Sequence, residues 1–450
     1  MPKTDAPQAH APSTGWYVVA LCMIAFVFSY TDRQILSLLI DPIRKDLGLT
    51  DTQFGLLHGF AFSLFYATLG LPVATLSDRM SRPLIIAVGI ATWSVATVTC
   101  GFARNFTQML MSRMMVGAGE GTLTPATYSL ISDLFAKGDL GKATAVYSLG
   151  SFLGSGLALV VCGAVIAMLG VNSVDVMGIA TLHPWQLTLV IVGLPGLLLA
   201  LLIVLTVRDP RRLDSPKALA DKVTSATPVT PDFTAVFRLL IRERAIFGPH
   251  LLGYSLFAMA LFGLLAWSPA FLIRVHGMPP QEAGYWLGST AIVFGGAGVL
   301  TSGWWMDRRM RRGAVDGPFR MGVIGALGLI VPVALLPFSH SNGACLALLA
   351  IAMFFSSFPM PPSAAVIQIV VPANMRSRVS AIFLFFNSLF GLTLGSVLIG
   401  LLNDRVFGRS DAVGISMSIV VVIAAALAAL VLATGMGPFR ARLSPYGHES

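Results

Sequence analysis

Four ionisable residues fall inside long apolar runs of the chain. Arg113 and Glu120 share one run, NFTQMLMSRMMVGAGEGTLTPATYSLI. Asp32 and Arg33 are adjacent in another, WYVVALCMIAFVFSYTDRQILSLLI. A charge in hydrocarbon costs several kcal/mol, so such groups face a wet pathway or a partner. The chemistry available to them is twofold. A buried carboxyl group exchanges a proton when a neighbouring cation arrives or leaves. A guanidinium grips a phosphate or carboxylate with two parallel hydrogen bonds. Asp32, Glu120 and Arg113 are therefore expected to couple proton movement, with Arg113 the expected holder of an anionic substrate group and Arg33 and Glu120 beside it.

Helix geometry sets their mutual reach. Arg113 and Glu120 are seven residues apart, which places them about 20° apart around a helix and about 10 Å apart along it. They share a face but are not a direct pair, so a mediator is expected: water, substrate or a residue of another helix. Counting from the nearest turn, Asp32 and Arg113 lie about 12–13 Å from the same surface, with Glu120 about 22 Å in. The expected arrangement is a charged column, with Asp32 and Arg33 beside Arg113 and Glu120 below. The alternative is a permanent ion network that only packs the helices together.

The elements that must hold this column are membrane helices. Hydrophobic residues make up 55% of the 450, charged residues 11%, and mean hydropathy is +0.79; soluble domains carry about 25% charged residues. Apolar runs recur at a length that crosses a bilayer as helix. Twelve spans are predicted: 15–40, 52–76, 83–102, 106–131, 141–169, 184–207, 246–273, 281–305, 319–338, 343–370, 376–402 and 410–434. The expected organisation is a tail at 1–14, a six-helix half at 15–207, a linker at 208–245 carrying one short surface helix, a second half at 246–434 and a tail at 435–450. The first apolar run is too long for a signal peptide and is expected to stay as a span.

Lys and Arg fix the expected orientation. Of the 30 such residues, 22 fall on the side of the termini and linker, six on the other, and Arg33 and Arg113 within spans. Both termini are thus predicted to be cytoplasmic. The net charge of +9 lies in connectors, which argues against nucleic acid. Cys22, Cys100, Cys162 and Cys345 fall in apolar runs with no paired spacing, so no metal or cofactor is expected.

The chain repeats itself. Asp-Arg-x-x-Arg follows the second span as Asp78/Arg79/Arg82 and the eighth as Asp307/Arg308/Arg311. Pro125 and Lys142 recur 236 residues later as Pro361 and Arg378. Repeats of this kind build alternating access, with substrate held between the halves. Arg113 and Glu120 shift onto Leu349 and Ser356, so only the first half carries the charges.

Twelve spans, a long linker and Asp-Arg-x-x-Arg after spans two and eight resemble the major facilitator superfamily. Gly303 stands four residues before Asp307, as the superfamily's loop motif has it, while Ala74 replaces that glycine in the first copy. Arg113-Met-Met-Val-Gly117-Ala-Gly119 resembles its Arg-x-x-x-Gly-x-Gly motif. Gly150-Ser-Phe-Leu-Gly154-Ser-Gly156 is only loosely similar to its antiporter motif and lacks the Gly-Pro pair. Tyr30-Thr-Asp32-Arg33, with Arg113 and Glu120-Gly121, is similar to the Spinster branch. That resemblance implies an all-α transporter of twelve helices in two pseudo-symmetric halves, working by alternating access. It also implies proton-coupled movement of a lysophospholipid or a sphingosine-1-phosphate-like anion, in a monomer of a bacterial inner membrane. A multidrug or other small-molecule carrier is the alternative.

The remaining candidates follow from position. The two Asp-Arg-x-x-Arg loops are expected either to latch the cytoplasmic side or to serve as solvated basic turns. Span ten contains SSFPMPPSA, where prolines break the backbone ladder, giving a rigid bend or a gate. Phe386 and its neighbours in span eleven either line an acyl-chain pocket or face lipid and other helices, and Asn387 and Tyr128 are weaker cavity candidates. Gly150/Gly154 and Gly391/Gly395 allow close helix approach. An enzyme would need a nucleophile triad, metal cluster or phosphate loop, and none stands out. A sensor would need a signalling domain larger than the linker.

Overall fold

The computed structural model describes residues 12–135, 139–169, 174–176, 180–210, 233–372 and 375–443. Residues 1–11 of the predicted tail at 1–14, residues 444–450 of that at 435–450, and linker residues 211–232 lie outside the described residues. Among the described residues twelve helical spans are present. In order they are Pro12–Leu38; 51–79; Arg82–Gly101; 106–134; Leu140–Leu169; Pro184–Thr206; Arg244–Arg274; 280–311; Gly317–Leu335; 342–370; 376–407; and Val413–Leu443. Among the described residues ten helices are long and apolar enough by themselves to cross a bilayer. The second span and the two-piece fourth complete the set.

The linker carries its short helix at Phe233–Arg242, with Glu243 paired to Arg442 at 3.4 Å. Two features depart from expectation. A small antiparallel pair, Val174–Val176 with Ala180–Leu182, stands in the turn between spans five and six. The last helix runs to Leu443, well beyond the predicted end at 434. Its extension is tied down: Arg440 Nη2 donates to Asp316 Oδ2 at 2.6 Å, and Arg320 meets the same oxygen at 3.0 Å.

The internal repeat extends to the irregularities of the helices. Span two contains a π segment at Leu56–Phe60, and span eight has one at Ala291–Gly295. Span four breaks between Glu120 and Leu123, and span ten between Ser356 and Met360. The 236-residue offset carries one break onto the other. Freed backbone groups find partners, as they must inside a membrane. Thr122 Oγ1 donates to the Gly119 carbonyl at 2.8 Å, Ser302 Oγ to that of Phe358 at 2.7 Å, and the His250 ring meets that of Ser363 at 2.8 Å.

Packing divides the molecule by depth. On the side away from the termini, one apolar core draws on both halves, from Ile35, Leu57 and Met109 to Trp267, Leu287 and Ile399. Toward the termini it separates into a cluster chiefly of the first half, around Ile86, Trp93 and Leu130, and one of the second, around Phe247, Phe319 and Val366. The halves are thus closed on the far side.

Glycines set these contacts. Gly150 and Gly154 lie against Met23, Val27 and Tyr30 of span one; Gly391 and Gly395 lie against Ala258 and Met259 of span seven. Those motifs therefore pack helices within each half. The seams between halves use other glycines. Gly55, Gly59 and Gly400 join spans two and eleven, and Gly156, Gly284 and Gly288 join spans five and eight.

Two outcomes test these contacts. A Cβ at Gly117 would stand 2.3 Å from the Phe62 carbonyl oxygen, which is backbone and cannot swing aside. Gly117→Ala should lower stability by about 1–3 kcal/mol, the range for overpacking, seen as a lower melting midpoint in detergent. Asp316 lies outside the spans. Burial pushes its carboxyl up, but hydrogen bonds and charge from Arg440 and Arg320 outweigh this and hold it below the ordinary 3.8. A carboxyl depressed by folding contributes stability that is complete above the ordinary value and lost as pH falls through the folded one. Asp316→Asn should therefore destabilise at pH 7, and the gap to wild type should close in melts taken at progressively lower pH, below about 4.

Candidate functional site

The four charges converge between spans one, two, three and four. Span four is wedged tightly: Gly117 abuts the span-two backbone at Phe62, and Gly119 abuts span three at Gly89 and Trp93. Side chains larger than hydrogen at these points would push Arg113 and Glu120 away from span one. The Arg-x-x-x-Gly-x-Gly pattern therefore acts as a positioning device.

Glu120 is 1% exposed and accepts twice on one oxygen. Arg33 Nε donates to Oε2 at 2.7 Å and Ser29 Oγ to the same atom at 2.5 Å. Arg33 Nη2 also reaches Ser29 Oγ at 3.3 Å. Ser29 and Arg33 are one helical turn apart, so both meet Glu120 from the same face of span one. Three aromatic rings enclose the Arg33 guanidinium carbon: Phe62 at 4.5 Å, Tyr66 at 4.6 Å and Tyr30 at 4.8 Å. A cation held over ring faces is stabilised without being neutralised.

Arg113 sits deeper. Its Nη1 donates to the Asp32 backbone carbonyl at 3.1 Å, and its guanidinium carbon is 5.9 Å from the Phe62 ring. Asp32 feels Arg113 and lies against Thr97 of span three. Arg113 meets Asp32 through the aspartate's backbone carbonyl, while Arg33, expected beside Arg113, bonds Glu120 directly. The Arg33 side chain is 15% exposed, while Arg113, the expected holder of the anionic group, is 1% exposed.

Several polar atoms here are sealed from solvent without a hydrogen-bond partner: Asp32 Oδ1, Glu120 Oε1, Arg113 Nε, Thr97 Oγ1 and both His58 nitrogens. Such groups are expensive and mark places where charge or proton rearranges. His58 belongs to the π segment of span two and feels Arg113. In the sequence it is a lone polar side chain within an apolar run, and the bulge that turns it inward leaves no residue signature.

The other predicted residues are not brought to this cluster. Tyr128 stacks edge-on with Tyr147 at 5.5 Å and is largely exposed. Phe386 stacks face to face on Phe390 at 5.6 Å, and Asn387 opens a π segment of span eleven. Arg82 braces the first half: it meets Asp133 at 2.7 Å, Asp209 at 2.5 Å and the Ser129 carbonyl at 2.7 Å. Asp78 and Arg79 have side chains outside the described residues. Among the described residues Asp307, Arg308 and Arg311 form no ion pair, and Arg308 lies over Trp304 at 5.1 Å.

A latch on the far side is made, and it was missed. Arg274, at the end of span seven, donates to Asp41 at 2.7 Å and grips Asp51 with two bonds of 2.9 and 3.0 Å. Arg44 at 2.9 Å and Asn403 at 2.9 Å complete the shell of Asp51. Asp404 of the second half caps the start of span two, accepting from Asp51 N–H at 3.1 Å and from Thr52 N–H and Oγ1 at 2.7 and 2.6 Å. In the sequence these are ordinary connector charges, 353 residues apart at the extreme.

Comparison with known proteins now decides the family. The Major Facilitator Superfamily profile matches residues 22–395. The chain belongs to this superfamily. It is therefore a membrane carrier and not an enzyme. It is 28% identical over 94% of its length to an MFS-type efflux pump of Mycolicibacterium smegmatis, covering 92% of that protein. It is 26% identical to human protein spinster homolog 1, over 88% of this chain and 74% of that one. A solved bacterial homolog of the human lysosomal transporter Spinster, inward-facing and unoccupied, superposes with a TM-score of 0.78 at 23% identity, covering 96% of this chain and 97% of that one. The Spinster-type resemblance carried by Tyr30-Thr-Asp32-Arg33 accords with these relatives.

The far-side latch gives a direct test. Arg274→Ala removes three charge-assisted bonds and should shift the closed–open balance toward opening by about 2 kcal/mol. Spin labels at positions 45 and 409, on opposite halves of that surface, should then report a longer distance population. An unchanged distribution would show that the glycine seams alone hold the closure.

Proposed function

We propose that the protein is a proton-coupled secondary transporter of an amphiphilic anion, such as a lysophospholipid or a sphingosine-1-phosphate-like molecule, with both termini in the cytoplasm of a bacterial inner membrane. The observation that carries the reading is the Arg33–Glu120 pair, 2.7 Å apart, in which the cation is partly accessible and the carboxylate is sealed.

The mechanism follows from competition. A substrate phosphate that takes Arg33 from Glu120 leaves a carboxylate in an apolar site with one fewer cation. Such a carboxylate recovers a proton. Substrate and proton therefore favour one another's binding, and the linkage is reciprocal. Arg113 and Asp32, one level deeper, form the second stage of the same exchange. The aromatic rings around Arg33 supply surface for an apolar tail, and Tyr128, Phe386 and Asn387, outside that cluster, extend that surface. Asp78, Arg79, Arg82, Asp307, Arg308 and Arg311 latch the termini side when the far side opens. The absence of charges at Leu349 and Ser356 assigns coupling to the first half.

The second reading, a multidrug or other small-molecule carrier, draws on the similarity to the mycobacterial efflux pump. Thermal-shift screening with lysolipids, cationic drugs and sugars separates the two, because only an anion-headed lipid engages Arg33. The coupling assignment is tested in vesicles under an imposed pH gradient. Glu120→Gln should keep the bond from Arg33 but lose the proton site, so gradient-driven transport should fall by about tenfold or more, the scale of a lost proton-transfer group. Full gradient-driven rates in this variant would overturn the assignment.

A further inference from the structure

The end of span eight carries a face outside the coupling site. Trp304, Trp305, Arg308, Arg309 and Arg312 fall within one arc of the helix at i, i+1, i+4, i+5 and i+8. With Ala314 they line a cavity of ≈ 380 Å³. Trp304 is 57% exposed, which is unusual for the largest apolar side chain unless it meets lipid or a ligand. No carboxylate lines the cavity. Asp307 lies off this face, and Arg308, Arg309 and Arg312 have no ion pair among the described residues. Arg309 Nε is sealed from solvent without a hydrogen-bond partner, although its residue is only partly buried. Arg308 is held over the Trp304 ring, which orients its guanidinium without neutralising it.

The shape of the turn adds to this. The helix ends at Arg311, and Gly313 takes a left-handed φ of +84°, which reverses the chain next to the cavity. Nearby Asp316 is already shared by Arg320 and Arg440, so it is not a counter-ion for the three arginines. Three cations at one membrane border, with an indole beside them and no carboxylate in the cavity lining, make a site suited to an anion.

We propose that this cavity is a site for the phosphate headgroup of an anionic membrane lipid, held by Arg308, Arg309 and Arg312, with the Trp304 indole at the level of the glycerol backbone. The ligand chemistry is a phosphate diester. A bilayer lipid is favoured over free phosphate because the aromatic wall is exposed on the same face as the charges, so a headgroup and its chains are both served. Basic pockets at the end of spans bind such lipids, and each arginine adds to the attraction. The site is separate from the Arg33–Glu120 pair and stands or falls independently of it.

The test is native mass spectrometry of the delipidated full-length protein, titrated with phosphatidylglycerol, phosphatidylcholine or inorganic phosphate. Wild type should retain phosphatidylglycerol over phosphatidylcholine. The triple variant Arg308→Gln, Arg309→Gln, Arg312→Gln should lose that retention by about tenfold or more, given the attraction per arginine. Arg311→Gln, off the face, should retain the lipid as wild type does. Should the triple variant not fold, the single variants Arg309→Gln and Trp304→Ala should each weaken retention severalfold. Equal retention in the folded variants and wild type would overturn the site. Displacement of phosphatidylglycerol by millimolar inorganic phosphate, with phosphate bound in its place, would overturn the lipid assignment.

Discussion

The structure depends on the need of a carboxylate buried in hydrocarbon for a cation, and of that cation for company. Glu120 is sealed by the wedge of span four between spans two and three, and among the described residues Arg33 and Ser29 hydrogen-bond to it. Arg33 in turn is caged by Phe62, Tyr66 and Tyr30 and keeps a partly open edge. The pair is therefore neither a surface bridge, which would be weak, nor a fully closed one, which would be inert. Its energy is sensitive to what else approaches the guanidinium. That sensitivity is what a transporter needs from a coupling site.

The second constraint is that the two halves must separate on one side while staying joined on the other. The apolar core is shared most widely between the halves on the far side. There the helices meet on glycine, with backbone close to backbone and the Ile292 and Val160 side chains packed into the seam of spans five and eight. The charge network of Arg274, Asp41, Asp51 and Asp404 adds direction to a contact that packing alone leaves non-specific. The helix irregularities repeat with the halves: π segments in spans two and eight, breaks in spans four and ten. The backbone groups they free are satisfied locally, so each break is a stable bend whose orientation the neighbouring span controls.

Asymmetry in the charges is laid on this symmetric frame. Leu349 and Ser356 stand where Arg113 and Glu120 would repeat, and both are buried. The fold thus closes without ions at that position. The ion set in the first half is an addition whose cost the fold carries, in unpartnered atoms of Asp32, Glu120, Arg113 and His58.

Sequence alone determined the twelve spans, the linker helix, the repeat and the depth at which Asp32, Arg113 and Glu120 would sit. Hydropathy runs and a rise of 1.5 Å per residue set all of these along a single helix. Only the tertiary structure decided which charge meets which. Arg33, not Arg113, bonds Glu120, because rotation about the axis of span one and the lean of span four are fixed by Gly117 and Gly119 against neighbours far away in the chain. The same holds for His58, whose inward turn comes from a π segment. It holds too for the far-side latch, where Asp51 and Asp404 read as unremarkable connector residues until the halves fold together. Periodicity reports which face of a helix is apolar; it carries no information about the azimuth of one helix relative to the next, and pairing of buried ions is decided by that azimuth.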